Sequence, residues 1–349
     1  MQDEKRLIAL ASLALVSGWA AAQSSVTVYG IVDVGLLTSS RSAAGGSTTS
    51  MASGGIAPSI WGFRGTEDLG NGLKATFNLE GHLDASTGAD VGPQFRRQSN
   101  LGLSSPEWGS VTLGNQYSPA VLAFAATDPR GLRENFSGLY PWAYNSGALT
   151  TGNNTNNDVG VFMQNAVTYS NTLGPVNLGV SYSLEKARGG VLALGVTYRG
   201  PVTVSAAYQA TNLPGTTSRQ STLYTLGAAY AMGDITGKVN YLRGVNKNAA
   251  LVETSDVGVF GLGLDWKTSA NNTVMAAIYL GKNKTNSADK TTTLVVADEY
   301  ALSKRTTVYG QAAFAKARSG ATLLTTAVAG GTVANATTTQ LNVGIKHAF

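Results

Sequence analysis

The sequence predicts an all-β fold, a 16-stranded antiparallel transmembrane β-barrel, on three observations. Past residue 22 no stretch is apolar enough to cross a membrane as a helix, although the chain opens like an exported protein. Segments of strictly alternating apolar and polar residues recur about sixteen times, as strands between lipid and water require. The connections between those segments alternate short and long without exception.

The elements follow in order. Lys5 and Arg6 form a short basic region, residues 7–16 an apolar run too short to span a bilayer, and Ala20, Ala21 and Ala22 the small residues that precede signal cleavage. Residues 1–22 are therefore expected to be a signal peptide and residues 23–349 a single barrel domain. In the first strand Val26, Val28, Val32 and Val34 oppose Thr27, Tyr29 and Asp33. The second spans 59–67. In the third, 73–80, Leu73, Ala75, Phe77 and Leu79 oppose Lys74, Thr76, Asn78 and Glu80. Further strands are expected at 95–103, 109–117, 165–170, 176–183, 191–198, 202–209, 221–230, 235–243, 257–266, 273–281, 291–300, 306–317 and 337–349. Their even total suits a bacterial single-chain barrel.

Tight links fall at 67–71, 104–108, 171–175, 200–201, 231–233, 267–272 and 303–305. Longer polar segments fall between them, near 39–58, 85–94, 118–160, 185–190, 210–219, 244–256, 282–290 and 318–336. Short turns on the side of the termini and long loops on the other are the pattern of an outer-membrane barrel. Trp61, Trp108, Tyr169, Tyr182, Tyr198, Tyr208, Tyr230 and Trp266 lie near strand ends, where amphipathic rings suit the headgroup zone. The last strand places Leu341, Val343, Ile345 and Phe349 on one face and ends on the aromatic.

Composition restricts the chemistry. The formal net charge of +5 is scattered, with no basic face of the kind that nucleic acid needs. There is no cysteine, and two histidines, His82 and His347, leave no metal site and no catalytic triad to assemble. No cofactor is expected.

Several segments together resemble the Gram-negative general porins, in their beta-proteobacterial branch. They are Ser25-Val26-Thr27-Val28-Tyr29-Gly30-Ile31-Val32-Asp33, and Trp61-Gly62-Phe63-Arg64-Gly65-Thr66-Glu67-Asp68-Leu69-Gly70-Asn71-Gly72-Leu73-Lys74-Ala75, the most specific of the set. Arg97-Gln98-Ser99-Asn100-Leu101-Gly102-Leu103, residues 109–117 and Tyr300-Ala301-Leu302-Ser303-Lys304-Arg305-Thr306 extend the likeness over the whole mature chain. The resemblance implies a homotrimer in the outer membrane, with the third loop folded inward. It also implies passive diffusion of ions and small hydrophilic solutes through a water-filled pore, contact with outer-membrane lipid, and no enzymatic activity. A terminal Phe349 resembles the signal read by the outer-membrane insertion machinery during assembly.

An open barrel of this size needs narrowing to be selective, and the longest connection, 118–160, carries Asp128, Arg130, Arg133 and Glu134. In the family, acidic residues of this loop face arginines on the wall. Strand parity puts Arg64 and Glu80 in the lumen, with His82 sharing the parity of Glu80; Arg97 matches the family's wall arginine, and Arg96 is the weaker candidate. Ile60 and Phe162 stand where relatives carry arginine, so the expected anion selectivity is mild at most.

Overall fold

The computed structural model of the chain describes residues 25–41, 46–133, 136–138, 160–184, 189–318 and 336–349. The signal-peptide expectation for residues 1–22 lies outside the described residues.

The chain runs through β1 (Ser25–Ser39), β2 (Thr48–Ser53), β3 (Ile60–Gly70), β4 (Leu73–Asp84), β5 (Ala89–Asp90), β6 (Gln98–Ser105) and β7 (Gly109–Tyr117). A short helix, α1 (Pro119–Ala125), precedes β8 (Phe162–Leu173), β9 (Val176–Ser183), β10 (Val191–Arg199) and β11 (Val202–Asn212). The remainder is β12 (Arg219–Met232), β13 (Ile235–Lys247), β14 (Glu253–Lys267), β15 (Asn272–Asn283), β16 (Lys290–Ala301), β17 (Thr306–Ala317) and β18 (Thr337–Ala348). Each barrel strand pairs antiparallel with its chain neighbours, and β18 returns to β1 over Ile31↔Ala348 to Ser39↔Gln340, so the sheet closes. Closure satisfies every ladder, the condition for strands in lipid.

β2 and β3 pair with successive halves of β1, from Ser39↔Thr48 to Val34↔Ser53 and from Ile31↔Ile60 to Ser25↔Thr66. They act as one stave interrupted at 54–59, while β5 pairs with two residues of β4 only. Sixteen staves result. Strand β2 corrects the expectation of loop through 39–58. Its residues Thr48, Thr49 and Ser50 show no alternation, but β1 continues to Ser39 and offers open ladder groups that recruit them. The fourth stave starts at Gln98 rather than 95, because the Arg96 N–H turns back to Pro93 O at 3.0 Å and only from Arg97, whose N–H reaches Glu80 O at 3.2 Å, does the backbone meet β4.

The molecule is inverted relative to a soluble sheet. Val28, Leu101, Leu226 and Val343 stand exposed on the outer face, whereas Asp33, Thr168, Ser205 and Gln311 are buried on the inner one. The link between β3 and β4 shows how the short turns are made: Asn71 and Gly72 take φ of 52° and 78°, the left-handed pair that matches hairpin twist. At the C-terminus Phe349 exchanges two backbone hydrogen bonds with Gly30, at 3.0 and 3.2 Å, and its ring lies over that glycine where a Cβ would collide.

Candidate functional site

The third connection enters the barrel because the inner wall is shaped to receive it. Ser118 caps α1, its Oγ accepting from Ala120 N at 3.2 Å and donating to Gln209 Oε1 on β11 at 2.6 Å. Pro119 at the first helical position needs no hydrogen-bond partner for its nitrogen. The apolar face of the helix, Ala120, Val121, Ala123 and Phe124, packs on inward residues that break the polar-inside rule: Met163, Ala193, Ala207, Leu223 and Leu242. A second apolar patch under Phe136 comprises Val257, Val259, Val295 and Ala313. Wall glycines complete the seat. A Cβ on Gly195 would collide with the Pro119 carbonyl, one on Gly227 with Thr127 Oγ1, and one on Gly263 would sit 2.7 Å from Pro129 Cβ.

Charged and polar side chains then bolt the loop in place. Thr127 Oγ1 lies 2.6 Å from Ser205 Oγ and accepts from Asn240 Nδ2 at 2.8 Å. Asp128 has no exposed surface; it accepts Leu132 N–H at 2.7 Å and the Tyr279 hydroxyl at 3.2 Å. Burial pushes its carboxyl above the usual range, opposed by those donors and by Lys238. Arg130 is equally enclosed, donating to Phe136 O at 3.2 Å and Gln311 Oε1 at 3.1 Å. Desolvation holds its guanidinium below its ordinary pKa, with Glu299 opposing. Arg133 forms a bidentate pair with Glu299 at 2.8 and 3.0 Å and keeps part of its side chain in the open.

Strands β1, β3 and β4 carry a second group. Arg64 shares the inner face with Thr27 and Asn78, is exposed, and lies 5.0 Å above the Tyr29 ring. The Tyr29 hydroxyl sits 2.7 Å from Asn78 Oδ1 and 2.8 Å from Glu80 Oε2. Glu80 in turn accepts Arg97 Nε at 2.8 Å, and Arg97 reaches the Tyr117 hydroxyl and lies over the Phe162 ring. Arg96 meets His82 Nδ1.

The expected pore-facing set thus divides. Arg64 and Arg133 reach the interior space, whereas Glu80, Arg97, Asp128 and Arg130 are each 5% exposed or less. Those four are held in the wall or under the loop by hydrogen bonds to neighbouring groups. Arg96 and Arg97 are not alternatives, since both precede β6, escape its parity and are buried. Ile60 is buried beside His82, with which it pairs, and Phe162 serves as the platform for Arg97. Glu134 lies outside the described residues.

Sequence reasoning missed other inward charges. A cavity of about 810 Å³ opens on the turn side of α1, lined among others by Lys74, Gln98, Asn100, Thr112, Thr197 and Arg199. Lys74 and Arg199 are exposed there, and with Arg64 none of the three has an ion pair among the described residues. Lys238 is instead paired with Asp265 at 2.6 Å. Strand parity, which placed Arg64, also turns Lys74, Arg199 and Lys238 inward when applied to every stave. Among the described residues no group of acidic or histidine side chains could hold a metal, and no helix is long and apolar enough to cross a membrane.

A family model described as Gram-negative porin matches residues 9–320. The chain is 33% identical over 361 residues to outer membrane porin protein 32 of Delftia acidovorans, covering 99% of this chain and 100% of that protein. Among solved structures, the anion-selective porin from Comamonas acidovorans matches with a TM-score of 0.82 at 28% identity, covering 94% of this chain and 100% of that one. The trimer form of OmpT from Vibrio cholerae shares the fold, with a TM-score of 0.68 at 14% identity over 93% of this chain and 99% of its own.

Proposed function

Since the chain belongs to the Gram-negative porin family and so to the outer membrane, we propose that it is a general diffusion porin whose pore is narrowed by the third loop. It passes ions and small hydrophilic solutes passively, works as a homotrimer, and performs no catalysis. One observation carries this reading: a barrel polar inside and apolar outside, with residues 118–133 seated against one side of the interior and a cavity of about 810 Å³ left beside them. A wall-seated loop restricts the opening without plugging it. Single-channel recording of purified protein in a planar bilayer tests it. Stepwise conductance with three equal closures is expected, and a protein that partitions into the bilayer yet never conducts overturns it.

Mild anion preference follows from the charge inventory. Arg97, Arg133 and Lys238 are paired with Glu80, Glu299 and Asp265, whereas Arg64, Lys74 and Arg199 are exposed inward cations with no ion pair among the described residues. Exposed Asp68, paired in register with Lys74, offsets part of their field. The solved Comamonas relative is itself described as anion-selective. The triple variant R64Q/K74Q/R199Q is expected to lower the chloride-to-potassium permeability ratio to unity or below, read from the reversal potential in a salt gradient. An unchanged ratio would move selectivity to other residues.

Phe349 is proposed as the assembly signal. Its ring and backbone close the barrel seam at Gly30, but it lines nothing in the interior. Deleting it is expected to cut the yield of heat-modifiable trimer in the outer membrane several-fold. The conductance of the trimer that does form should be unaltered.

A further inference from the structure

On the outer face of the barrel, the loop-side ends of β12 to β16 carry a row of side chains whose alignment the ladder fixes. Tyr224 pairs with Arg243, Arg243 with Gly258, Gly258 with Lys282, and Lys282 with Lys290. Directly paired residues share a face. Two positions nearer the turns, the same strands present Leu226, Tyr241, Phe260 and Leu280, all exposed on the lipid side. Lys316 on β17 pairs with Thr292, immediately below Lys290 on the same face.

The charges of this row are out of balance. Arg243 gives its Nε and Nη2 to Asp256, both at 2.6 Å, and Lys284 Nζ lies 3.4 Å from the same carboxylate. Among the described residues Lys282, Lys290 and Lys316 have no carboxylate within ion-pair distance. Asp289, next in sequence to Lys290, is fully buried and accepts Asn283 Nδ2 at 3.2 Å. Two lysines directly opposite each other on neighbouring strands repel, an arrangement that destabilises an isolated sheet. An anion seated between them removes the repulsion. At the turn end of the same outer face the register instead aligns Ile235, Trp266, Val274 and Asp298, with no row of cations.

We propose that this row docks the phosphorylated headgroup of an anionic outer-leaflet lipid. Lys282, Lys290 and Lys316 hold the phosphate, and the acyl chains lie along Leu226, Tyr241, Phe260 and Leu280. Strands sit about 4.8 Å apart, so ammonium groups on adjacent staves reach one phosphate together. The apolar band directly beneath places that phosphate at the level of the headgroups, on the side of the long loops, which faces the cell exterior. A lipid, rather than a soluble anion, is the occupant that matches both the cations and the apolar band.

Native mass spectrometry of the whole protein, purified in detergent and titrated with bisphosphorylated lipid A, tests the assignment. Retained lipid is expected on the wild type, with at least a tenfold weaker apparent affinity for K282Q/K290Q/K316Q and near wild-type affinity for K282R/K290R. Because these side chains point away from the interior, the glutamine variant should keep the wild-type conductance, which reports that it is folded. Millimolar inorganic phosphate should fail to displace the lipid, and dephosphorylated lipid A should fail to bind. Equal binding by wild type and glutamine variant, equal retention of phosphatidylcholine, or full displacement by inorganic phosphate would each overturn the proposal.

Discussion

Valine at both Gly195 and Gly263 is expected to unseat the third loop, raising single-channel conductance and the size limit for solutes. Both glycines face the interior in ordinary extended backbone, so a side chain costs nothing in strand geometry and the whole effect falls on the contact. At Gly195 even a Cβ collides with the carbonyl of Pro119, the residue that starts α1. At Gly263 it sits 2.7 to 2.9 Å from the Cβ, Cα and carbonyl oxygen of Pro129. Backbone on both sides leaves neither partner able to rotate aside. Overpacking of this kind costs roughly 1–3 kcal/mol per site, and the two contacts pin opposite ends of the segment from Pro119 to Pro129. The barrel itself is held by its ladders, so the loop yields before the wall. Conductance in a planar bilayer and swelling of liposomes in sugars of graded size measure the effect. G237V is the control, since a Cβ at Gly237 meets nothing within 4 Å. Conductance unchanged in the double variant would mean that the loop does not limit flow.

Removing the Glu80 carboxylate alone should cost more stability than removing both members of its ion pair. Glu80 and Arg97 side chains are each 6% exposed and meet at 2.8 Å. In E80A the guanidinium stays buried and loses its ion pair with Glu80 while keeping its contacts to the Tyr117 hydroxyl and the Phe162 face, and the Tyr29 hydroxyl also loses an acceptor. Removing one member of a buried ion pair typically costs about 3–5 kcal/mol, whereas replacing a buried pair with apolar side chains of similar volume is often neutral. Urea unfolding followed by tryptophan fluorescence should therefore show a large drop in midpoint for E80A and recovery in E80L/R97M. A double variant as unstable as the sum of its single variants would show that the two residues are not energetically coupled.

How far the fold could be read from the chain is clearest at particular elements. The alternation in residues 73–80 located both faces of β4, and the even spacing of turns gave the stave count, because period and loop length are local properties. Strand β2 was illegible, since Thr48 to Ser53 has no alternation and is a strand only because β1 extends beside it. Arg64 was placed on the inner face by parity alone. Arg97 was singled out by the resemblance and not by parity; it and Arg96 lie just before β6 and are held by their side-chain partners.

The seat of the third loop was visible in principle. Leu223, Leu242, Val257, Val259 and Val295 put apolar side chains on the inward face of staves whose outward face is also apolar. Doubly apolar strands in a barrel mean that something other than water covers the inside. Their partner could not be read, because loop and wall lie far apart in the chain, 78 residues for Thr127 and Ser205 and 151 for Asp128 and Tyr279.

By itself, the sequence determined the architecture: lipid on one side and water on the other impose a period of two, and a period of two is written residue by residue. Only the tertiary structure decided which charges meet water. Arg64, Lys74 and Arg199 face the open interior while Asp128, Arg130, Glu80 and Arg97 are consumed as anchors. A side chain's exposure depends on what folds over it, and in this barrel that cover comes from a distant loop.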